Sequence, residues 1–444
     1  MLSNNIIRQF LVQVTGLISG FVISVLTARI LGAEGRGDFA LILSTSNFLA
    51  LLLGMNLSTT IVHVVSSNRT PLRETINSIS LITIILVIIC LLTLLFFPFK
   101  KFDFLLPESR NPFYTKVVLL VMFITATSGL LINSFLNGKK LFPQQQKLYF
   151  LLVPVTLGIY IALYATQSKL SFSSFIIYYV VITSLQVLGG YYLYVRHVRP
   201  PFKFTFLDTI QLKYIFAYSL TAYIANLFQF LSYRMDFWFV NYYNGSTQLG
   251  VYSLAVSLAQ MLWLLPQAIA TIFLAYSGSG NHDIVVNQTN ALTRIALSVL
   301  VIAGTILFVV MGFIIPFFYG TEFSDTVFLF RLLLLGIIPF SITTIIASYF
   351  AGKGKIRVNM YGGILGFIFC LCFDIVLIPI YGTKGAAIAT VISYCASTIY
   401  TIFVYIRSSH SSLQELFVIT RQDIVYLKAK FKSILSGGMQ EESK

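Results

Sequence analysis

Three observations predict an all-α integral membrane protein of about twelve transmembrane helices in two parallel six-helix lobes. Hydrophobic residues fill 57% of the 444 positions and charged residues only 10%, a composition suited to lipid rather than to a soluble domain. Twelve separate apolar runs reach about 20 residues, the length at which a helix crosses the hydrocarbon with its backbone bonded internally. The chain also repeats itself across its midpoint. Gly32-Ala-Glu-Gly-Arg-Gly37-Asp-Phe39-Ala-Leu41 recurs as Gly245-Ser-Thr-Gln-Leu-Gly250-Val-Tyr252-Ser-Leu254, an offset of 213 residues (32 to 245) that also pairs Ser44 with Ser257, Asn47 with Gln260 and Leu49 with Leu262.

Taken in order, the first two runs, roughly 9–31 and 39–65, flank the first glycine motif, and Arg69 and Arg73 separate them from a third at 76–98. The stretch from Lys100 to Lys116 divides that run from the fourth, 115–136. Lys139, Lys140 and Lys147 precede the fifth, 148–167, and Lys169 lies before the sixth, 172–195. The basic stretch holding Arg196, Arg199, Lys203 and Lys213 then leads into runs seven and eight, 214–240 and 249–276, which flank the second glycine motif. Runs nine and ten, 293–317 and 328–351, follow; Lys353, Lys355 and Arg357 introduce the eleventh, 358–380, and a Gly382 turn leads to the twelfth, 383–406. Six runs per half make both halves enter the membrane from the same side, related by an axis along the membrane normal. The expected division is residues 1–200, 201–406 and a basic tail at 407–444.

Positive charge orients the bundle, because cytoplasmic loops carry the excess of Lys and Arg. With the N-terminus inside, 20 basic residues lie on inner segments and 9 on outer ones, with Arg234 alone inside a run; the Lys100 to Lys116 loop runs against the bias. Both termini are therefore expected in the cytoplasm. The first run is too long for a cleavable signal and is expected to stay. In the tail, Ile424, Leu427, Phe431 and Leu435 would share one helix face bordered by Lys428, Lys430 and Lys432, the pattern of a helix on an anionic leaflet, with a solvated tail as the alternative. The net charge of +15 then needs no nucleic acid partner.

Cys90, Cys370, Cys372 and Cys395 lie in apolar runs, and His63, His197, His282 and His410 are scattered, so no metal site or disulfide is expected. The loops are short and offer only Asp103 and Glu108 as an acidic pair, too little for acid and base chemistry, and no phosphate-binding glycine loop or activated nucleophile is present. Catalysis is disfavoured. Transport driven by a gradient or by the substrate itself is expected.

The few intramembrane charges are Arg29, Arg234, Asp236 and Asp374. Arg234 and Asp236 are two residues apart and point to different helix faces. Arg29 and Arg234 either snorkel to the interface or reach a lumen. Arg29 and Arg36 stand near the outer mouth of the first lobe and Asp236 near that of the second, which suggests an opposite-charge gate. The amides Asn47, Asn226, Gln229 and Gln260 are candidate lumen residues, since amides suit sugar hydroxyls, although helix-to-helix bonding would account for them too.

Ala28-Arg-Ile-Leu-Gly32-Ala-Glu-Gly-Arg-Gly37-Asp-Phe39 resembles the first-helix signature of bacterial polysaccharide flippases in the multidrug/oligosaccharidyl-lipid/polysaccharide (MOP) exporter superfamily. Leu377-Ile-Pro379-Ile-Tyr-Gly382-Thr-Lys-Gly385-Ala-Ala-Ile-Ala389-Thr is similar to that family's turn between helices eleven and twelve, and Asp236 followed by Gly250-Val-Tyr252-Ser-Leu-Ala255 resembles the start of its second lobe. The resemblance implies a V-shaped, alternating-access pair of lobes that moves an undecaprenyl-diphosphate-linked oligosaccharide across the bacterial cytoplasmic membrane. It implies glycan polymerases or glycosyltransferases as pathway partners. Coupling to Na+, H+ or the membrane potential is expected rather than a cofactor. A cation-coupled multidrug extruder of the same superfamily is the nearest alternative, and a polytopic glycan polymerase a more distant one.

Overall fold

The computed structural model describes residues 2–54, 57–67, 71–96, 106–107, 112–166, 171–198, 205–277 and 282–420. Its helices are α1 (Leu2–Gly54), α2 (Leu57–Ser67), α3 (Leu72–Phe96), α4 (Pro112–Gly138), α5 (Phe142–Ala165), α6 (Phe172–Val198), α7 (Thr209–Gln260), α8 (Leu264–Ser277), α9 (His282–Ile314), α10 (Asp325–Gly352), α11 (Ile356–Tyr381), α12 (Thr383–Ser409) and α13 (Leu413–Phe417). No strand occurs among the described residues. The all-helical, two-lobe membrane architecture expected from the sequence is the one observed.

Ten of the helical stretches are long and apolar enough to cross a membrane, and two of these are far too long for one crossing: Val14–Gly54 with 41 residues and Tyr223–Thr271 with 49. At about 1.5 Å per residue the shorter would span roughly 60 Å, about twice the hydrocarbon thickness. Each folds back at a glycine. Gly32 (φ 67, ψ −174) and Gly245 (φ 79, ψ 172) leave the helical region, and both adopt the positive φ that glycine alone takes at little cost. The reversal is visible in the bonding. Arg36 donates to the Ser24 carbonyl at 3.1 Å, and Arg234 donates to Gln260 at 3.0 Å, contacts that continuous helices would forbid. Ten stretches thus make twelve crossings, and the two repeated glycine motifs are the turns of two equivalent hairpins.

The other turns follow from local chemistry. The α9 helix ends in a π-helical turn at Ile315–Tyr319 that contains Pro316, and Gly320 (φ 102) then redirects the chain. Between α11 and α12, Gly382 takes φ 58, and a Cβ on Gly385 would lie 2.2 Å from the Leu377 carbonyl oxygen, so this tight turn requires both glycines. Asn244 lies against Gly382, which places this turn at the same end of the bundle as the Gly245 turn.

The two lobes are packed differently. The second holds the largest buried cluster, built on Tyr252, Trp263, Phe330, Phe340 and Tyr394, and its α7, α11 and α12 approach closely through small residues. Ser393 donates to the Gly366 carbonyl at 2.7 Å and shares a 3.1 Å hydrogen bond with Ser232, the packing expected where lipid gives helices no hydrophobic reason to associate. The first lobe divides into two smaller clusters, and a further one around Tyr349 and Tyr405 completes the second lobe. Leu207 and Ile215, beyond the expected boundary at 200, pack into the first lobe's second cluster with Ile76 and Leu136; Asn77 bonds the Thr205 carbonyl and Ser78 accepts from the Leu207 amide, so the linker and the start of α7 are tied to the first lobe. The tail helix expected around Ile424 to Leu435 lies outside the described residues.

Candidate functional site

The glycine hairpins meet each other. A Cβ built on Gly37 would lie 1.8 Å from the Ser246 carbonyl oxygen, and one built on Gly250 would lie 1.8 Å from the Ala33 carbonyl oxygen. Gly37 and Gly250 are repeat partners, and so are Ala33 and Ser246, so the contact is reciprocal: each half presents its glycine to the other half's carbonyl. It is the backbone approach of an isologous interface, made within one chain.

Side chains extend this seal. Ser246 donates to Asp38 at 2.6 Å, the Trp238 indole donates to Thr45 at 3.1 Å, and Tyr319 bonds Ser24 at 3.3 Å. Glu322 accepts from the Ala33 amide at 3.3 Å. Arg29 crosses between the lobes as well, donating at 2.7 Å to the carbonyls of Phe317 and Phe318. Phe21 packs edge-on against Phe318 and Tyr319, and Phe48 against Trp238. The lobes are thus closed against each other at the glycine-turn end.

The opposite-charge gate expected between Arg29 or Arg36 and Asp236 is not formed. Asp236 is buried within the second lobe, where it accepts hydrogen bonds from the hydroxyls of Tyr252 and Thr390 and from the Phe237 amide. Arg36 is turned the other way, toward Ser24. The physical reason is the hairpin geometry, which points Asp236 into its own lobe. The hydrogen bonds that cross between lobes instead end on backbone carbonyls, a backbone amide, hydroxyls and the carboxylates of Asp38 and Glu322.

Beneath the seal lies a cavity of about 280 Å³ between the two hairpins. Arg36, Ser24, Ser44 and Asn47 line it from the first lobe, and Arg234, Phe237, Ser253 and Ser257 from the second. Ser44 and Ser257 are repeat partners. The two arginines are held rather than free: Arg36 by the Ser24 carbonyl and hydroxyl at 3.1 and 3.2 Å, Arg234 by Gln260 at 3.0 Å and by the Phe237 ring, 4.9 Å from its guanidinium carbon. Each leaves a buried donor without a partner close to the cavity, Arg36 Nε and, beside Arg234, Gln260 Nε2. Buried donors in native proteins are rarely left so. No carboxylate is among the described residues that line this cavity.

The remaining expected residues fall elsewhere. Asn47 lines the cavity and Gln260 positions Arg234. Gln229 lies against Gly363 of α11 and Asn226 is exposed; neither borders this cavity. Asp374, fully buried on α11, receives the Cys370 thiol at 3.2 Å, leaves Oδ1 without a partner, and acts electrostatically on Asp236. Asp236 and Asp374 are both buried in the second lobe and act on each other electrostatically, and Arg234 acts on Asp236 as well. Sequence reasoning missed Arg36 as a cavity cation and Asp38 and Glu322 as seal acceptors. The pairing of Ser44 with Ser257 was a usable signal for the lining hydroxyls.

Sequence and structure comparisons bear on this arrangement. The sequence matches the profile of the family described as polysaccharide biosynthesis protein over residues 2–276. The chain belongs to that family. A second profile, MatE, matches residues 222–376, while no curated protein matches the sequence. Among solved structures, the fold is similar to the lipid II flippase MurJ in an inward closed conformation (TM-score 0.67, 18% identity, covering 97% of this chain and 96% of that one). It is also similar to a multidrug resistance MATE family transporter of the MOP superfamily in an inward-facing conformation (0.65, 15%, 90% and 94%). A third match is a MOP superfamily transporter from Pyrococcus furiosus, described as having a binding pocket of reverse polarity (0.65, 15%, 92% and 96%). The two profiles and the shared fold make this family member a MOP superfamily transporter.

Proposed function

We propose that the protein is a flippase that moves an undecaprenyl-diphosphate-linked oligosaccharide across the bacterial cytoplasmic membrane by alternating access. The observation that carries this reading is the sign of the interlobe cavity: one arginine from each lobe and no carboxylate among the described residues that line it. A diphosphate matches that lining, because guanidinium groups bind phosphate oxygens through several directed donors, with greater strength in a partly desolvated site. A cationic drug does not match it. Cation-coupled drug extrusion is the second reading, and what favours it is the buried Asp236 and Asp374 pair.

In the flippase reading the acid pair serves coupling. Two carboxyls that share a buried site are not both ionised without a compensating proton or cation, so a proton or Na+ taken up there would bias the packing of α7, α11 and α12 and hence the lobe angle. With positive-inside orientation, the termini are cytoplasmic, the sealed glycine-turn end is the outer one, and the substrate enters from the cytoplasmic leaflet. Glycosyltransferases that build the lipid-linked unit and a polymerase that consumes it are the pathway partners.

Export in cells tests the reading. Arg234→Gln is expected to abolish glycan export at normal protein level with lipid-linked oligosaccharide accumulating inside, while Arg234→Lys keeps a fraction, because Lys supplies charge without the planar fork. Wild-type export from Arg234→Gln cells would remove the cationic cavity from the mechanism.

A further inference from the structure

Among the described residues, three more cavities lie wholly inside the first lobe, two of them rich in amides. One of these two, about 290 Å³, adjoins the cationic cavity through Leu43 and Asn47 and lies among α1, α4 and α6; the next, about 470 Å³, lies among α4, α5 and α6 and shares Asn133, Gln186 and Gly190 with it. These two and the cationic cavity form one connected groove running away from the arginines. No charged residue is among the described residues that line these two amide-rich cavities.

What lines them instead is amide and aromatic. Asn133 and Asn137 are one turn apart on α4, Gln145 and Gln146 come from α5, Gln186 from α6, and the rings of Tyr149 and Tyr179 border the space. On α6 the division between faces is clear: Tyr179, Thr183, Gln186 and Gly190 make an i, i+4, i+7, i+11 stripe toward the groove. Ile177, Val181, Leu185 and Leu188 are the exposed apolar stripe, the one that suits lipid. Among these amides, Gln145 donates to Asn133 at 3.3 Å. Amides on a transmembrane helix are costly unless something polar meets them.

We propose that this groove is the glycan subsite: it takes the uncharged sugars of the transported lipid through amide-to-hydroxyl hydrogen bonds and contact with the tyrosine rings, while Arg36 and Arg234 hold the diphosphate. The inference rests on the flippase reading and adds to it a place and a chemistry for the sugars. An amide both donates and accepts, as a sugar hydroxyl does, and cavities of a few hundred Å³ with a few convergent polar groups are the size and character of small-ligand sites. Along this amide-lined branch the order, arginines for the phosphate and then amides for the sugars, matches the order of groups in the substrate.

The test uses full-length protein in nanodiscs and two probes: lipid-linked oligosaccharide extracted from cells that lack the exporter, and undecaprenyl diphosphate, its glycan-free counterpart. Wild type is expected to bind the glycosylated lipid more tightly. Combined Asn133→Leu and Gln186→Leu, which keeps side-chain volume and removes the amides, is expected to weaken glycosylated-lipid binding about tenfold, each lost hydrogen bond costing a few-fold, and to leave undecaprenyl diphosphate binding unchanged, which also reports that the variant is folded. Gln186→Asn should fall between. Arg234→Gln should weaken both probes. Equal effects of the double variant on the two probes, or none on either, would overturn the glycan subsite and leave the flippase reading standing; failure of wild type to bind either lipid would remove both.

Discussion

The two lobes share a plan and have diverged in content. In the first, cavities run between α4, α5 and α6 and amides line them; in the second, aromatic and small residues fill the corresponding volume around Tyr252, Phe340 and Tyr394, and the notable polar group is a buried acid pair. The contrast sits on equivalent hairpins. The positions of Asn47 and Gln260 correspond, yet Asn47 borders open space while Gln260 is used to hold Arg234. At the glycine turns both halves have kept the same job, because the contact there is reciprocal and neither copy can change alone. Duplication supplied two hairpins that must fit each other; outside that seam each lobe was free to specialise, one for room and the other for rigidity.

The largest expected effect comes from that seam. Gly37→Val and Gly250→Val should each abolish transport, and to the same degree, because either Cβ would sit 1.8 Å from a backbone carbonyl of the other lobe and only separation of the lobes relieves it. Labelling of a Ser253→Cys probe in the cavity by an impermeant maleimide added outside should rise in both. Unequal behaviour of the two glycines would break the reciprocity.

A smaller and one-sided effect is expected at the acids. Asp236→Asn and Asp374→Asn should reduce gradient-driven transport at least tenfold while undecaprenyl diphosphate binding stays, since neither acid is among the described residues that line the arginine cavity; loss of binding in either variant would place the acids in the substrate site. Smaller again are the single bonds of the seal. Ser246→Ala removes a hydroxyl donor to the buried Asp38, a charge-assisted bond worth about 1.5–3 kcal/mol, and should raise the outside labelling of the same probe by about tenfold or more. Thr45→Val removes a neutral acceptor of Trp238 worth about 1 kcal/mol and should raise it only about fivefold.

These expectations also mark how far the sequence could be read. The crossings and turns were legible because they rest on local quantities: run length against bilayer thickness, and glycines at fixed spacing. That Gly37 and Gly250 touch was not, since the repeat shows equivalence and not proximity. Arg36 lies in the polar segment between two apolar runs, so it reads as an outer-mouth charge; the fold-back at Gly32 returns it to Ser24, twelve residues earlier, and makes it a cavity residue. Asp236 reads as a gate charge because its partners, Tyr252 and Thr390, come from 16 and 154 residues away, and no pattern along the chain joins them. The amide groove was legible only in part: Asn47 stood out through its repeat partner, whereas Asn133, Gln145 and Gln186 converge from three helices.

The central claim, that the interlobe cavity is built for an anionic head group, is tested most directly by reconstituting the protein in vesicles and offering two cargoes: a fluorescent undecaprenyl-diphosphate-linked oligosaccharide and a cationic dye. The account expects the lipid to be translocated and the dye to be left, with lipid translocation lost in Arg36→Gln and in Arg234→Gln. Movement of the dye with no movement of the lipid, unaffected by either substitution, would contradict it.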